Sequence, residues 1–424
     1  MTKIPLFRKA VVTFLATGRT ARLEGWKENE WTKQFPWLDR SGLALPFAAR
    51  LLEGVGTRPR IPESVLQSLE KRLHDNERRM SAMLTSLDTI QSLLAAQRLR
   101  FCCLKGFSLI PDCYSTIRER HQVDFDLLID SSDASHATVT LETLGYKLVH
   151  TADSGEMRLA RPWTRHLTAD SWLYDLSEGP AVELHTQLWE PETELGGFSI
   201  PKEWMEGIYM RTVRGVAIPC LAPAWQFFQL LLHVFRHLLD SWVRLLSIYE
   251  IAIFLRREHK NDELWHGVVR LTAADPGMAS ACALVLSIVS AEFSVWLPSP
   301  LGDLCQGYLS KESALWVEHF REEWVYADPP GTKLALLVQR QFCKDRAAWR
   351  SYSLRRLFPF RIPHSISDDA AVRTKLKVRY LMDALFYQLR RLGYHLSSDC
   401  NYLRSVARWK QLIHSSETSP VLFL

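Results

Sequence analysis

Asp124 and Asp126 stand one residue apart at the head of an apolar run, Asp124-Phe-Asp126-Leu-Leu-Ile129. Side chains on a strand alternate between faces, so the two carboxylates project from one face, roughly 6–7 Å apart along the backbone. Phe125 and Leu127 then point the other way, into a core. Upstream, Leu99-Arg-Phe-Cys-Cys-Leu-Lys105-Gly106-Phe-Ser108 reads as an apolar strand ending in a basic glycine turn, and Arg120 precedes the carboxylates. Two aligned carboxylates can hold one or two hard divalent cations through oxygen. With Lys105 and Arg120 on either side, they form equipment for moving a phosphoryl or nucleotidyl group.

A third carboxylate follows in Ala181-Val-Glu183-Leu-His185, where Glu and His alternate with apolar residues as on a half-buried strand. If this strand lies beside the Asp124–Asp126 strand, three like charges share one pocket. Their repulsion raises their pKa values, and a bound cation reverses that cost. In this reading Asp124, Asp126 and Glu183 are the catalytic and metal residues, with two Mg²⁺ ions expected and Mn²⁺ as a substitute. A nucleoside triphosphate would lie against Lys105, the amides near Gly106, Ser108, Arg120 and His185. Glu183 would ligate metal or take the acceptor's proton. His233 and His237 sit four apart on an expected helix and so share a face. That spacing can bind zinc, but no third ligand is evident. Contact with the nucleotide, as an accessory to the site, and packing are the other readings.

The elements that must position these groups follow from periodicity. Residues 1–60 read as helical, interrupted at Pro46 and again after Gly54. A long amphipathic helix runs from Pro62 to about Gln97, with Leu66, Leu69, Leu73, Met80, Met83, Leu87 and Ile90 at helical spacing. Strands are expected over 99–105, 123–130 and 146–150, a helix over 107–117, a helix ending at Gly145, and a hairpin over 155–176. Two strongly apolar helices follow over 224–239 and 242–256. Prolines at 276, 298, 300, 329 and 330 break later helices, and 358–363 reads as a loop before a last helical segment. The expected fold is therefore α+β, a small mixed-sheet core embedded in a largely α-helical protein. Its regions are an N-terminal helical one (1–96), the catalytic core (97–190), a helical domain packing on the core (191–300) and a basic helical C-terminal region (301–424).

Bulk properties restrict less. The chain has 424 residues, 47% hydrophobic and 23% charged, with a net charge of +5. That composition is globular and favours anionic partners weakly. The basic excess concentrates in residues 340–410, with sixteen Lys and Arg against five Asp and Glu. This reads as a solvated helical face or, alternatively, as a surface for an anionic partner. The eight cysteines include no C-x-x-C pair, and reduced thiols in the cytoplasm are expected. The apolar stretch 281–297 contains Glu292 and falls short of the ~20 residues a membrane helix needs, so no membrane association is expected.

From about residue 44 to residue 185 the chain resembles the uncharacterised nucleotidyltransferase family of the DNA polymerase beta-type superfamily. The resemblance rests on the long helix leading into Leu104-Lys105-Gly106, on Arg120-x-x-x-Asp124-x-Asp126, and on Glu183-x-His185. It extends to Leu232-His233-Val-Phe-Arg-His237 with Ile248-Tyr-Glu250-Ile251, covering roughly residues 40–260. Two departures stand out: Phe107 follows Gly106 where the wider superfamily usually has Gly-Ser, and position 250 is Glu where similar sequences tend to carry Asp. The resemblance implies transfer of NMP, AMP by default, from an NTP to a hydroxyl with release of pyrophosphate. The acceptor, whether small molecule, glycan precursor, protein or RNA, is left open. Two rival expectations are an inactive nucleotide- or partner-binding protein on the same fold, and a helical nucleic-acid-binding or scaffold protein.

Overall fold

The structure, a computed structural model, describes residues 6–53, 59–152, 155–161, 173–174, 179–190, 195–328, 330–343, 345–357 and 374–418. Three helices open the chain: α1 (Leu6–Thr17), α2 (Glu28–Ser41) and α3 (Ala44–Glu53). Pro46 does not interrupt them. It lies in the first turn of α3, where a missing N–H costs nothing. Gly42 ends α2 in the left-handed conformation, its N–H bonded to Asp39 O at 3.1 Å. The long helix α4 (Glu63–Ala96) follows, buried along the predicted apolar line.

Seven strands form one mixed sheet: β1 (Phe101–Cys103), β2 (Asp124–Ile129), β3 (Lys147–Thr151), β4 (Met157–Ala160), β5 (Ala181–His185), β6 (Tyr209–Val213) and β7 (Val216–Cys220), with helix α5 (Ala134–Glu142) between β2 and β3. The spatial order is β3-β4-β5-β2-β1-β7-β6. The pairs β2/β5 and β1/β7 are parallel and the rest antiparallel. Two expectations are corrected. The helix expected over 107–117 is two short 3₁₀ turns, Gly106–Leu109 and Ile117–Glu119. The sheet does not end near residue 190, because β6 and β7 extend it through Cys220. Their pattern is masked in sequence by Pro219 and by the polar turn at Arg214-Gly215, where both residues have positive φ. Of the hairpin expected over 155–176, only β4 is described, and it pairs with β3 and β5; the rest falls largely, and the loop at 358–363 wholly, outside the described residues.

The helical body comprises α6 (Pro223–Leu239), α7 (Leu245–Arg257), α8 (Asp262–Thr272), α9 (Pro276–Phe293), α10 (Ser299–Tyr308), α11 (Lys311–His319), α12 (Arg321–Val325), α13 (Leu336–Gln339), α14 (Arg346–Leu357) and α15 (Thr374–Thr418). Helix starts are locally encoded. Pro276 opens α9 behind Asp275, whose Oδ1 accepts from Gly277 N at 2.8 Å and Met278 N at 3.1 Å. Helix α9 is long and apolar enough to cross a membrane by composition, yet it packs against α1, α6, α7, α8, α10 and α11. Its apolarity is that of a core helix, hydrophobic all round because it is surrounded.

Helix α4 binds the sheet to the body through buried polar groups. Asn76 is fully buried and its Nδ2 donates at 3.0 Å to both Arg118 O and Arg120 O, on the segment leading into β2. Arg79 donates to Gln122 O in the same segment, and Gln91 Nε2 donates to Ala217 O of β7 at 2.8 Å. Removing one such partner leaves buried carbonyls unsatisfied, at about 1–3 kcal/mol. Asn76→Ala is therefore expected to lower the urea unfolding free energy by about that amount. A change within error would show that α4 does not hold this segment.

Candidate active site

The site is built on the parallel pair at the sheet's centre. In the β2/β5 register Asp126 lies beside Glu183 and Leu128 beside His185, so the acidic face of one strand continues onto the next. Among the described residues, ligand atoms of Asp126, Glu183 and His185 lie within 4.8 Å of one another. Asp124 shares the face of Asp126; its charge acts on Glu183, and the charge of Asp126 acts on it. The structure thus brings together two of the three carboxylates expected from sequence, Asp126 and Glu183, while Asp124, on the same strand face, lies outside that cluster. His185 is placed within the cluster: its Nε2 is 3.3 Å from Asp126 Oδ1 and its Nδ1 is 3.5 Å from Glu156 Oε2.

Each flanking strand supplies a cation. Lys105, just beyond β1, places Nζ 3.1 Å from Asp126 Oδ1. Arg158 on β4, directly across from Glu183, places Nη1 2.7 Å from Glu183 Oε1. Across β4-β5-β2-β1 the side chains therefore run cation, anion, anion, cation. Burial alone would raise Asp126, but Lys105 and His185 outweigh it and hold Asp126 below the ordinary carboxylate range. Glu183 goes the other way. Burial, then Asp124, Asp126 and Glu156, push it up to about 8 against the pull of Arg158. Asp124 is also raised, by burial and by Asp126. Two carboxylates displaced in opposite directions within one cluster are the usual mark of acid–base division of labour.

The turn after β1 explains its glycine. Gly106 has φ +71°, and a Cβ there would fall 2.0 Å from Gln122 Oε1. Gln122 in turn donates to Asp124 O at 2.6 Å, so the Lys-Gly turn and the head of β2 are packed face to face. Ser108 does not reach the site. It is fully buried, and Gln226 Nε2 donates to its carbonyl at 2.8 Å and its hydroxyl at 3.1 Å. The hydroxyl expected to touch phosphate instead anchors the turn to α6.

Arg120 is likewise engaged elsewhere. Its Nε lies 2.7 Å from Glu250 Oε1 on α7, with Tyr114 donating to the same oxygen at 2.8 Å. Burial lowers the Arg120 pKa, but Glu250 and Tyr114 more than reverse this and keep the guanidinium charged. Arg120 is thus a buried strut between the segment before β2 and the helical body. His233 and His237 are brought into direct contact, Nε2 to Nε2 at 3.0 Å, with His237 edge-on to Trp242 at 4.4 Å between centroids. Burial and then the nearby Lys105 charge depress both, His237 to about 3, so the pair is neutral at physiological pH.

Sequence reasoning missed Arg158, Glu156 and Gln122. The alternation Met157-Arg158-Leu159 was the available signal for Arg158, but its face becomes known only when β4 is seen to pair with β5. Gln122 carried no signal, since its role depends on the approach of Gly106.

Two outcomes are expected. Gly106→Ala should cost about 1–2 kcal/mol from backbone strain alone, plus the overlap with Gln122. In a Gln122→Ala background its cost should shrink without vanishing, and a cost of equal size in both backgrounds in urea titrations would rule out the packing. Glu183 gives a pH test. Between its ordinary value of 4.5 and about 8 the unfolded chain has lost this proton while the folded chain keeps it. Stability therefore falls as pH rises through that window, and the loss is complete above 8. In chelator, the melting temperature of Glu183→Gln minus that of wild type should grow from pH 5 to pH 8.5. A difference flat in pH would contradict the shift.

Of the comparisons with known proteins, the family match bears on this geometry. No curated protein matches the chain. A solved structure, that of the antibiotic-resistance factor ANT(2'')-Ia in solution, aligns over 46% of this chain and 92% of its own at 11% identity, with a TM-score of 0.29, too loose a likeness to argue from. The family model for an uncharacterised nucleotidyltransferase matches residues 27–293, from α2 through α9, which takes in every strand of the sheet and the carboxylate face. The chain belongs to the uncharacterised nucleotidyltransferase family.

Proposed function

We propose that this nucleotidyltransferase transfers NMP, AMP in the first instance, from a nucleoside triphosphate to a hydroxyl, releasing pyrophosphate. The observation that carries the reading is the convergence of Asp126, Glu183 and His185 within 4.8 Å, beside Asp124. Such a cluster is costly without a cation, as the raised Asp124 and Glu183 attest. The donor set fits a hard divalent ion, because three carboxylates offer the oxygen that Mg²⁺ or Mn²⁺ prefers. Asp124, Asp126 and Glu183 would hold it, with His185 oriented between Asp126 and Glu156 as support. When bound, one or two such ions would neutralise phosphate charge and acidify the acceptor hydroxyl.

The chain's own groups supply the rest. Glu183, beside Asp126, would ligate the ion or accept the proton of the attacking hydroxyl. The new bond forms from that oxygen to the α-phosphorus, and the bond from the α-phosphorus to the bridging oxygen breaks, leaving pyrophosphate. Lys105, released from Asp126, takes its place against the phosphate oxygens, and Arg158 is released from Glu183 in the same way. Gln122 keeps the Lys-Gly turn aligned with β2 throughout.

Incubation with each labelled NTP, Mg²⁺ and candidate hydroxyl acceptors is expected to release pyrophosphate and add one NMP mass to an acceptor. Asp124→Ala and Asp126→Ala should each reduce the rate by at least about a hundredfold, in the range of lost transition-state stabilisation. Independently of turnover, Mg²⁺ should raise the melting temperature of wild type and not of Asp126→Ala. Background pyrophosphate equal in wild type and variants would overturn the proposal.

A further inference from the structure

Helix α15 has two apolar faces, and the body covers one. Trp409 is buried against Phe320, with ring centroids 5.8 Å apart. Tyr402, Val406, Leu412 and Ile413 pack onto the core. Tyr394 donates to Gly331 O at 3.1 Å, and Asp399 Oδ1 lies 2.5 Å from Lys333 Nζ. Roughly 120° round the helix runs a second line: Leu385, Leu389, Leu392, Leu396 and Leu403, each more than half exposed. Their spacing of four, three and four residues is the a/d repeat of a heptad, interrupted at Asp399.

We propose that this leucine line is a dimerisation seam that pairs with the same line on a second copy of the chain. Three observations favour that occupant. The line is narrow, falling within about 60° of the helix circumference. That suits side chains seated in the holes of a facing helix, whereas a bilayer surface takes a broad apolar face. Its size is right: five leucines exposing about 100 Å² each give on the order of 500 Å² per copy and 1,000 Å² per pair, where specific association begins. The flanking positions, which usually choose partners by charge, are Gly393, Cys400 and Ala407 on one side and His395 and Tyr402 on the other. No Lys, Arg, Asp or Glu stands there, and Asp399, which interrupts the line itself, is paired with Lys333 of the body. Gly393 has open space where a Cβ would stand, which lets a second backbone approach. The seam is separate from the carboxylate face, so it stands or falls independently of the proposed reaction.

Sedimentation equilibrium of the full chain tests the inference. Wild type is expected to shift from the 48.9 kDa monomer toward twice that mass at micromolar concentrations. Leu392→Glu with Leu396→Glu should weaken self-association at least tenfold, with unchanged far-UV circular dichroism and melting temperature. Leu392→Ala with Leu396→Ala, which retains helix propensity, should weaken it as well. Ser397→Glu, exposed and about 100° round the helix from Leu396, should leave it intact. A wild-type monomer at about 100 µM, a concentration at which even weak specific pairs form, would overturn the proposal. So would a dimer that survives both leucine pairs, or a monomer that floats with anionic phospholipid vesicles.

Discussion

The parallel alignment of β2 with β5 is the constraint from which the site follows. It sets Asp126 beside Glu183, with Asp124 one step along, and thereby assembles like charges in a half-buried place. Such an arrangement folds only if the neighbouring strands offset it. Here the strand order itself does so, since β1 leads to Lys105 and β4 carries Arg158. A register slip of one residue on either flank would turn its side chains to the other face and remove the compensation. The acidic face and its counter-charges are therefore one feature of the sheet.

The helices hold this arrangement in place rather than contributing its carboxylates. Asn76 and Arg79 on α4 hold the segment before β2, and Glu250 on α7 holds Arg120 within it. A buried pair such as Arg120–Glu250 gains little over apolar packing, but it penalises any structure in which only one partner is present. Helix α6 holds the other side of the site, with Gln226 gripping the turn through Ser108. Several links between the sheet and the body thus end close to the Lys-Gly turn or to the head of β2.

Much of the site was legible before any coordinates because its groups obey local rules. Asp124 and Asp126 share a face by strand alternation, Gly106 marks a turn, and Glu183 and His185 follow the same two-residue period. The mixed sheet within a helical protein could be read from the same patterns. Three things could not be read, each for a non-local reason. Arg158 faces the site because of its pairing with β5, which alternation within β4 does not specify. Ser108 and Arg120 have the right chemistry to touch phosphate, but α6 and α7 arrive from more than a hundred residues away and engage them. The strands β6 and β7 were hidden because Pro219 and a polar turn break their periodicity, while the partner that stabilises them, β1, is distant in sequence.

The built-in counter-ions also bear on how the molecule comes into being. In small metal-nucleated domains the unloaded polypeptide collapses, because nothing else neutralises the ligands. Here Lys105 and Arg158 fill that office from the moment the strands pair, so maturation need not await a cation. On the proposed function, loading would be an exchange of one set of positive charges for another on a finished scaffold.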